Sequence, residues 1–235
     1  MKRRKLLSLL VAAAMVLSLL PMSALAAGTE GASIDEEIQA FLDGSESSAT
    51  ITLSSDATFS GFDLSDGKQL IIELSGHKLS SSGGADITVL GGAGLTIQST
   101  GETKGSLEMN GFARVNDAAI GVQTGSAVTL QNVAYTTDGT GLFPAGDAAT
   151  VVVEDCTLQT KGYCLGTNAG KTDNYEVVIT LTGSSFSGSN DGAGTAMYLN
   201  VPGTLDMDNC TVNGYFHGLF VRGGTAVIKN STITN

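Results

Sequence analysis

One short pattern recurs along the chain: two or three alternating apolar residues, then Asn, Asp or Gly, then a small residue and another apolar one. It is written out in "SAVTLQNVAYTTDG", "ATVVVEDCTLQTKG", "VVITLTGSSFSGSN", "TLDMDNCTVNG" and "TAVIKNSTITN". Aligned on the last apolar residue before the Asn, Asp or Gly, Met109, Leu130, Val153, Leu181, Met207 and Ile228 fall in register, at spacings of 21, 23, 28, 26 and 21 residues. Self-similarity at about 20–30 residues marks a solenoid. Leucine-rich repeats share this period but need a Leu-x-x-Leu-x-Leu core. These units instead alternate with period two over three short runs each, which is strand chemistry.

In the unit from Thr204 to Gly224, "TLDMD" turns Leu205 and Met207 inward, "CTVN" turns Val212 inward, and "GLFVR" turns Leu219 and Val221 inward. Gly and Asn stand at the corners, where a positive φ costs them least. Three strands and three corners make one coil of a triangular prism. Coils stacked about 4.8 Å apart then bury a continuous core. This stacking predicts Tyr135, Leu158, Phe186, Val212 and Ile233 as one interior column, and Val133, Cys156, Ser184, Cys210 and Ser231 as another, at a corner. Asn132, Asp155, Asn209 and Asn230 are expected to cap successive backbone groups as a ladder at one turn, with Gly183 as the exception. The 31 glycines, three prolines and lack of Trp agree with many short strands joined by tight turns.

The same register accounts for the thiols. Cys156, Cys164 and Cys210 are an odd set, too few for a disulfide scaffold. Cys156 and Cys210 occupy equivalent positions two coils apart, roughly 9.6 Å, beyond disulfide reach. They read as small buried apolar residues.

Residues 1–26 read as a secretory signal peptide: Lys2, Arg3, Arg4 and Lys5 precede an apolar core from Leu6 to Leu20, Pro21 breaks it, and Ala24-Leu25-Ala26 offers the small residues a signal peptidase cuts after. Its apolar core is too short to span a bilayer comfortably, and no other stretch reaches the ~20 apolar residues of a membrane helix. The chain is therefore expected to be secreted or held at a cell surface. Removal of that segment leaves eight basic residues against 23 acidic ones, a net charge of −15. Such a chain repels nucleic acid and anionic membranes, so neither is an expected partner. Residues 27–48 read as a linker and a capping helix: "GASIDEEIQAFLDG" has Ser33 and Glu36 at capping-box spacing, Ile34, Ile38, Phe41 and Leu42 on one face, and Gly44 at the stop. An amphipathic helix of this kind covers the open apolar end and free sheet edge of a solenoid. The other end carries no such cap, and "KNSTITN" stops partway through a coil. Residues 49–235 are accordingly expected to be an incomplete solenoid, with further coils or domains following.

The opening coils carry a family resemblance. "ATITLSSDATFSGFDLSDGKQLIIELSGHKLSSSGGADITVLGGAGLTIQSTGETKGSLEMNG" is similar to the first coils of secreted bacterial right-handed parallel β-helix proteins of the pectate-lyase-like class. Openings in that class often read as a strand, a "dldlnGh"-type segment and a "gg.ltI…G.l" segment. Here the middle segment is Ile72-Glu73-Leu74-Ser75-Gly76-His77, with Glu and Ser where Asp and Asn are commoner. The resemblance spans most of residues 49–235 and implies an all-β, right-handed parallel β-helix with three strands per coil and roughly seven to eight coils. It says little about chemistry, because the class includes polysaccharide lyases, glycosidases and non-catalytic surface adhesins.

The residues themselves offer little catalytic equipment. A uronate lyase needs outward carboxylates to hold calcium and an Arg or Lys to abstract a proton, and a glycosidase needs paired carboxylates about 5–9.5 Å apart. Past the leader the arginines are Arg114 and Arg222. Glu154 and Asp208 fall in one outward column with Thr182 between them, and Asp206 lies beside Asp208 on the same face. These three residues are the candidate calcium site; the competing reading is a solvated acidic strand. "GTNAGKT" (166–172) resembles a phosphate loop but is one residue short between its glycines, and "GGAGLT" (91–96) has Thr96 where a calcium-binding nonapeptide needs Asp. His77 and His217 are isolated and read as structural. The Asn-x-Thr triplets at Asn209 and Asn230 follow from the corner pattern.

An outward apolar stripe is the remaining candidate site. In the third strand of successive coils, the residue between two inward ones is Gly121, Phe143, Leu165, Tyr198 and Phe220, which predicts an exposed ridge of Phe143, Leu165, Tyr198 and Phe220. Exposed aromatic residues suit a sugar ring or a protein partner. The competing reading is that a loop or a following segment covers them. The function expected from the sequence is a non-catalytic, adhesin-like surface module that binds an extracellular glycan or surface protein without a cofactor. The alternative is a carbohydrate-active lyase or hydrolase of acidic polysaccharide.

Overall fold

Every third strand pairs with the next in a computed structural model that describes residues 33–81, 83–167, 176–189 and 194–234. The leader, residues 1–26, lies outside the described residues, as does most of the "GTNAGKT" segment. Three parallel sheets result. Two hold eight strands each, running from Ser48–Thr52 to Thr225–Lys229 and from Ala57–Phe59 to Thr232–Ile233; the third holds seven, from Phe62–Leu64 to His217–Val221. The chain is thus an all-β parallel β-helix of seven three-stranded coils, with two strands of an eighth.

The interior follows the alternation of the sequence. Leu130, Val153, Leu181, Met207 and Ile228 stand in one column of the first sheet. Met109 does not belong to it. It lies on strand Gly105–Met109 of the second sheet, opposite Thr137, and the first-sheet partner of Leu130 is Ile97. In the second sheet Tyr135, Leu158, Phe186, Val212 and Ile233 form the expected column. The first four are buried, and Ile233, on the last strand, is 39% exposed.

Corner chemistry fixes where strands end. Asn132, Asp155, Asn209 and Asn230 have φ of 53, 50, 53 and 48°, and Gly183, at the same position, has 60°. Gly183 shares the backbone conformation and is the exception only in having no side chain to cap with: the position selects residues that tolerate the left-handed region. These side chains reach the preceding coil: Asn132 Nδ2 donates to the Ser99 and Gly101 carbonyls, and Asn230 Nδ2 donates to the Asp208 carboxylate instead of a backbone group.

The small residue after each corner starts a second ladder. Cys156 Sγ donates to the Glu154 carbonyl (3.1 Å) and accepts from Val133 N–H (3.4 Å); Ser184 Oγ donates to Thr182 O (2.8 Å) and accepts from Cys156 N–H (3.0 Å). Cys210 Sγ donates to Asp208 O, and Ser231 Oγ accepts from Cys210 N–H at 3.0 Å. Thiol and hydroxyl thus perform the same task. Cys210→Ser is expected to change stability by less than about 1 kcal/mol in a urea melt.

All three thiols are free and buried. Burial pushes Cys156 and Cys164 up to about 11 and raises Cys210. Reaction of the native chain with a disulfide reagent at pH 8 should therefore be far slower than in denaturant, where all three react. The fold favours the protonated thiols, so their contribution to stability is intact below the ordinary value of 9.0 and declines as pH rises from there toward about 11.

Helix α1 (Ile34–Asp43) covers the first coil. Ser33 and Glu36 form the reciprocal capping box, and Ile34, Ile38 and Phe41 are buried. Asp35 accepts from both the N–H and the hydroxyl of Ser60, at 2.9 and 2.7 Å. At the other end Lys68 Nζ donates to the carbonyls of Phe41, Gly44 and Glu46 and sits 4.8 Å from the centre of the Phe41 ring. The Phe41 carbonyl belongs to the last turn, whose carbonyls a helix leaves without intrahelical partners, and the Gly44 and Glu46 carbonyls lie just beyond it.

The third sheet departs from strict alternation at its leading edge. Ala119 and Ile120 are both buried, as are Gly141 and Leu142, Cys164 and Leu165, and Ala196 and Met197. Two of the small members, Gly141 and Cys164, lie beside a tyrosine. A Cβ on Gly141 would stand 3.4 Å from Tyr135, whose hydroxyl donates to the Gly141 carbonyl at 3.1 Å. Near Cys164 the Tyr215 hydroxyl lies 2.8 Å from both Thr160 Oγ1 and Cys164 Sγ and donates to Ser187 O.

Candidate functional site

Leu165 does not join the outward stripe. It pairs with Leu142 and Met197 and is 1% exposed, so it is a core residue. The outward column runs Thr88, Gly121, Phe143, then Gly166, Tyr198 and Phe220. The register slips by one because Cys164, which looks like the inward partner of Leu142, matches Gly141 instead.

Tyr163 fills the gap that Gly166 leaves. A Cβ on Gly166 would come within 3.2 Å of the Tyr163 ring. The ring stacks on Tyr198 at 5.7 Å between centres and 17° between planes, and Tyr198 in turn faces Phe220 at 5.5 Å and 35°. Tyr198, held between two rings, is 8% exposed, whereas Phe143 is half-buried and Phe220 is 41% exposed. The stripe continues sideways through His217, 5.6 Å from Phe220, to Phe216, which meets the imidazole edge-on at 4.6 Å and is 66% exposed. Tyr163 and Phe216 come from corners, where no alternation betrays which way a side chain points.

Stacking against Tyr163 and the tilted contact with Phe220 decide which part of the Tyr198 ring is left open. The faces of Tyr198 are turned to its neighbours, so its edge and hydroxyl look outward, and ring edges carry the positive part of the quadrupole. Arg222 lies there: its Nη1 donates to the Tyr198 hydroxyl at 3.1 Å. Thr195 Oγ1 is 3.5 Å from His217 Nδ1.

The acidic candidates sit on a different sheet. Glu154, Thr182, Asp208 and Lys229 succeed one another in register, with Asp206 opposite Thr180. Two strand spacings separate Glu154 from Asp208, about 9.6 Å between backbones, and Asp208 accepts from Asn230. Among the described residues no group of three or more His, Cys, Asp or Glu is gathered as a metal site. Glu73, in the same column, is 8% exposed, and its carboxylate accepts from Ser75 N–H, Gln98 Nε2 and Thr100 N–H. His77 Nδ1 stands 3.9 Å from Asp56.

Among the described residues, no helix is long and apolar enough to cross a membrane. Comparison of the chain with protein-family models, with curated proteins and with solved structures returns no match.

Proposed function

We propose that this β-helix is a non-catalytic, adhesin-like module that works outside the cell and holds a partner against the aromatic end of its third sheet. The observation that carries this reading is the exposed set of Phe216, His217 and Phe220, continuous with a buried aromatic stack that fixes it in place. Apolar rings left in water on a rigid face are a poor arrangement for solubility and a good one for contact. The export reading rests on the leader pattern of residues 1–26. Tyr198 is the ring with a neighbour on each face, and the surface left for a glycan or a surface protein is that of Phe216, His217 and Phe220.

Phe216→Ala is expected to leave the melting temperature nearly unchanged and to weaken capture on surface-protein and glycan arrays several-fold, since one lost aromatic contact is worth about 1 kcal/mol beyond area. Unchanged capture on both arrays would overturn the binding face. Unsaturated product from polygalacturonate, with or without calcium, would overturn the non-catalytic reading.

A further inference from the structure

We propose that Arg114 and Lys161 form a site for a doubly charged oxyanion group, phosphate or sulfate, at the corner between the second and third sheets. The site lies in the middle of the solenoid, on coils that have a coil above and below them, and it does not rest on the binding face proposed above. Arg114 belongs to the loop of residues 110–117, which leads from strand Gly105–Met109 to strand Ala118–Val122. That loop folds along the solenoid over the next two coils. A Cβ on Gly139 would stand 3.0 Å from the Phe112 ring, the Val115 carbonyl accepts from Thr140 Oγ1 at 3.2 Å, and a Cβ on Gly162 would be driven into that same carbonyl. The two glycines keep the path of the loop clear. Arg114 and Lys161 each immediately precede one of the two residues in contact, Val115 and Gly162, so two long cationic side chains start from neighbouring backbone.

Both side chains are exposed and, among the described residues, neither enters an ion pair or a hydrogen bond. The acids of this corner are turned to backbone donors: Asp117 accepts from Arg114 N–H at 3.0 Å, and Asp138 accepts from Gly111 and Phe112 N–H at 3.0 and 3.2 Å. Two like charges set side by side repel, and a dianion between them relieves both. The guanidinium presents a planar fork to two of its oxygens, and the ammonium adds a point charge. Composition limits the size of the ligand. With 23 Asp and Glu against 12 Lys and Arg, a long polyanion meets repulsion on either side of this spot, and a compact group does not. Val115, 40% exposed, offers an apolar border to the cations, which suits a small phosphate monoester better than the free ion.

The test is isothermal titration calorimetry on the full chain at pH 7.5 and low salt, with glucose 6-phosphate, inorganic phosphate and acetate. Glucose 6-phosphate is expected to bind with a Kd of about 1 mM, about fivefold more tightly than inorganic phosphate, and singly charged acetate should give no measurable heat. Arg114→Gln and Lys161→Gln should each weaken the sugar phosphate about fivefold or more at unchanged melting temperature. A fall to pH 5, where the phosphate keeps one charge, should weaken it as well. Arg222→Gln removes an equal charge from another coil and should leave the affinity as it is. No heat from either phosphate, an affinity that neither substitution changes, or an equal loss with Arg222→Gln would overturn the site. Equal affinities for the two phosphates would overturn the monoester and assign the site to the free ion.

Discussion

Leu158→Asp should lower stability by about 4 kcal/mol or more, while Gln159→Asp, one residue along the same strand, should stay within about 0.5 kcal/mol of the parent. Leu158 is fully buried between Tyr135 and Phe186, so an aspartate there would be charged without a partner in a dry column. Gln159 points outward and is exposed. Urea melts followed by far-UV circular dichroism measure both. A larger loss for Gln159→Asp than for Leu158→Asp would mean that the inward and outward faces of this sheet are exchanged, and equal stabilities would mean that Leu158 is not held in a dry column.

The second large effect belongs to a glycine. Gly203 opens strand Gly203–Asp208 with φ of +133° and pairs with Val177. A Cβ there would be driven into the Val177 carbonyl and stand 2.6 Å from its nitrogen, and both are backbone atoms with nowhere to move. Gly203→Ala is expected to cost about 3 kcal/mol or more. Gly67→Ala is the control: its φ is +70°, but nothing lies within 4 Å, so only the left-handed penalty of about 1 kcal/mol applies. A thermal melt that places both variants together would show that the close approach of the coils at Val177 is not what holds Gly203.

The architecture was legible because stacking repeats one decision many times. Strand alternation, the Asn/Asp/Gly corner and the Ser33–Glu36 box each have a local cause, and each is found where the residues put it. Position within the coil was harder. "LEMNG" carries the same corner chemistry as "LDMDN", but an Asn-Gly corner suits any vertex of the prism, so nothing local told Met109 that it belonged to the second wall. The candidate site suffered from the same ambiguity. Strand Leu165–Gly166 is two residues long, too short to show a period, and the paired inward residues Cys164 and Leu165 break the rule used to orient Leu165. Tyr163 and Arg222 reach the stripe through contacts across coils, 5.7 and 3.1 Å from Tyr198, and separations of 35 and 24 residues hide such contacts from any reading of neighbours.

The column Ala119, Gly141, Cys164 and Ala196 has a consequence for how such a chain can diverge. Where that wall is reduced to a hydrogen, at Gly141, the facing wall swells to a tyrosine, Tyr135. The girth of the prism is then a property of a whole layer and of no single position in it. Bulk can migrate from wall to wall by paired substitutions, each layer keeping its volume, while the outline presented to the coils above and below stays the same. Neighbouring layers can in this way lose their likeness in sequence and still stack without a step.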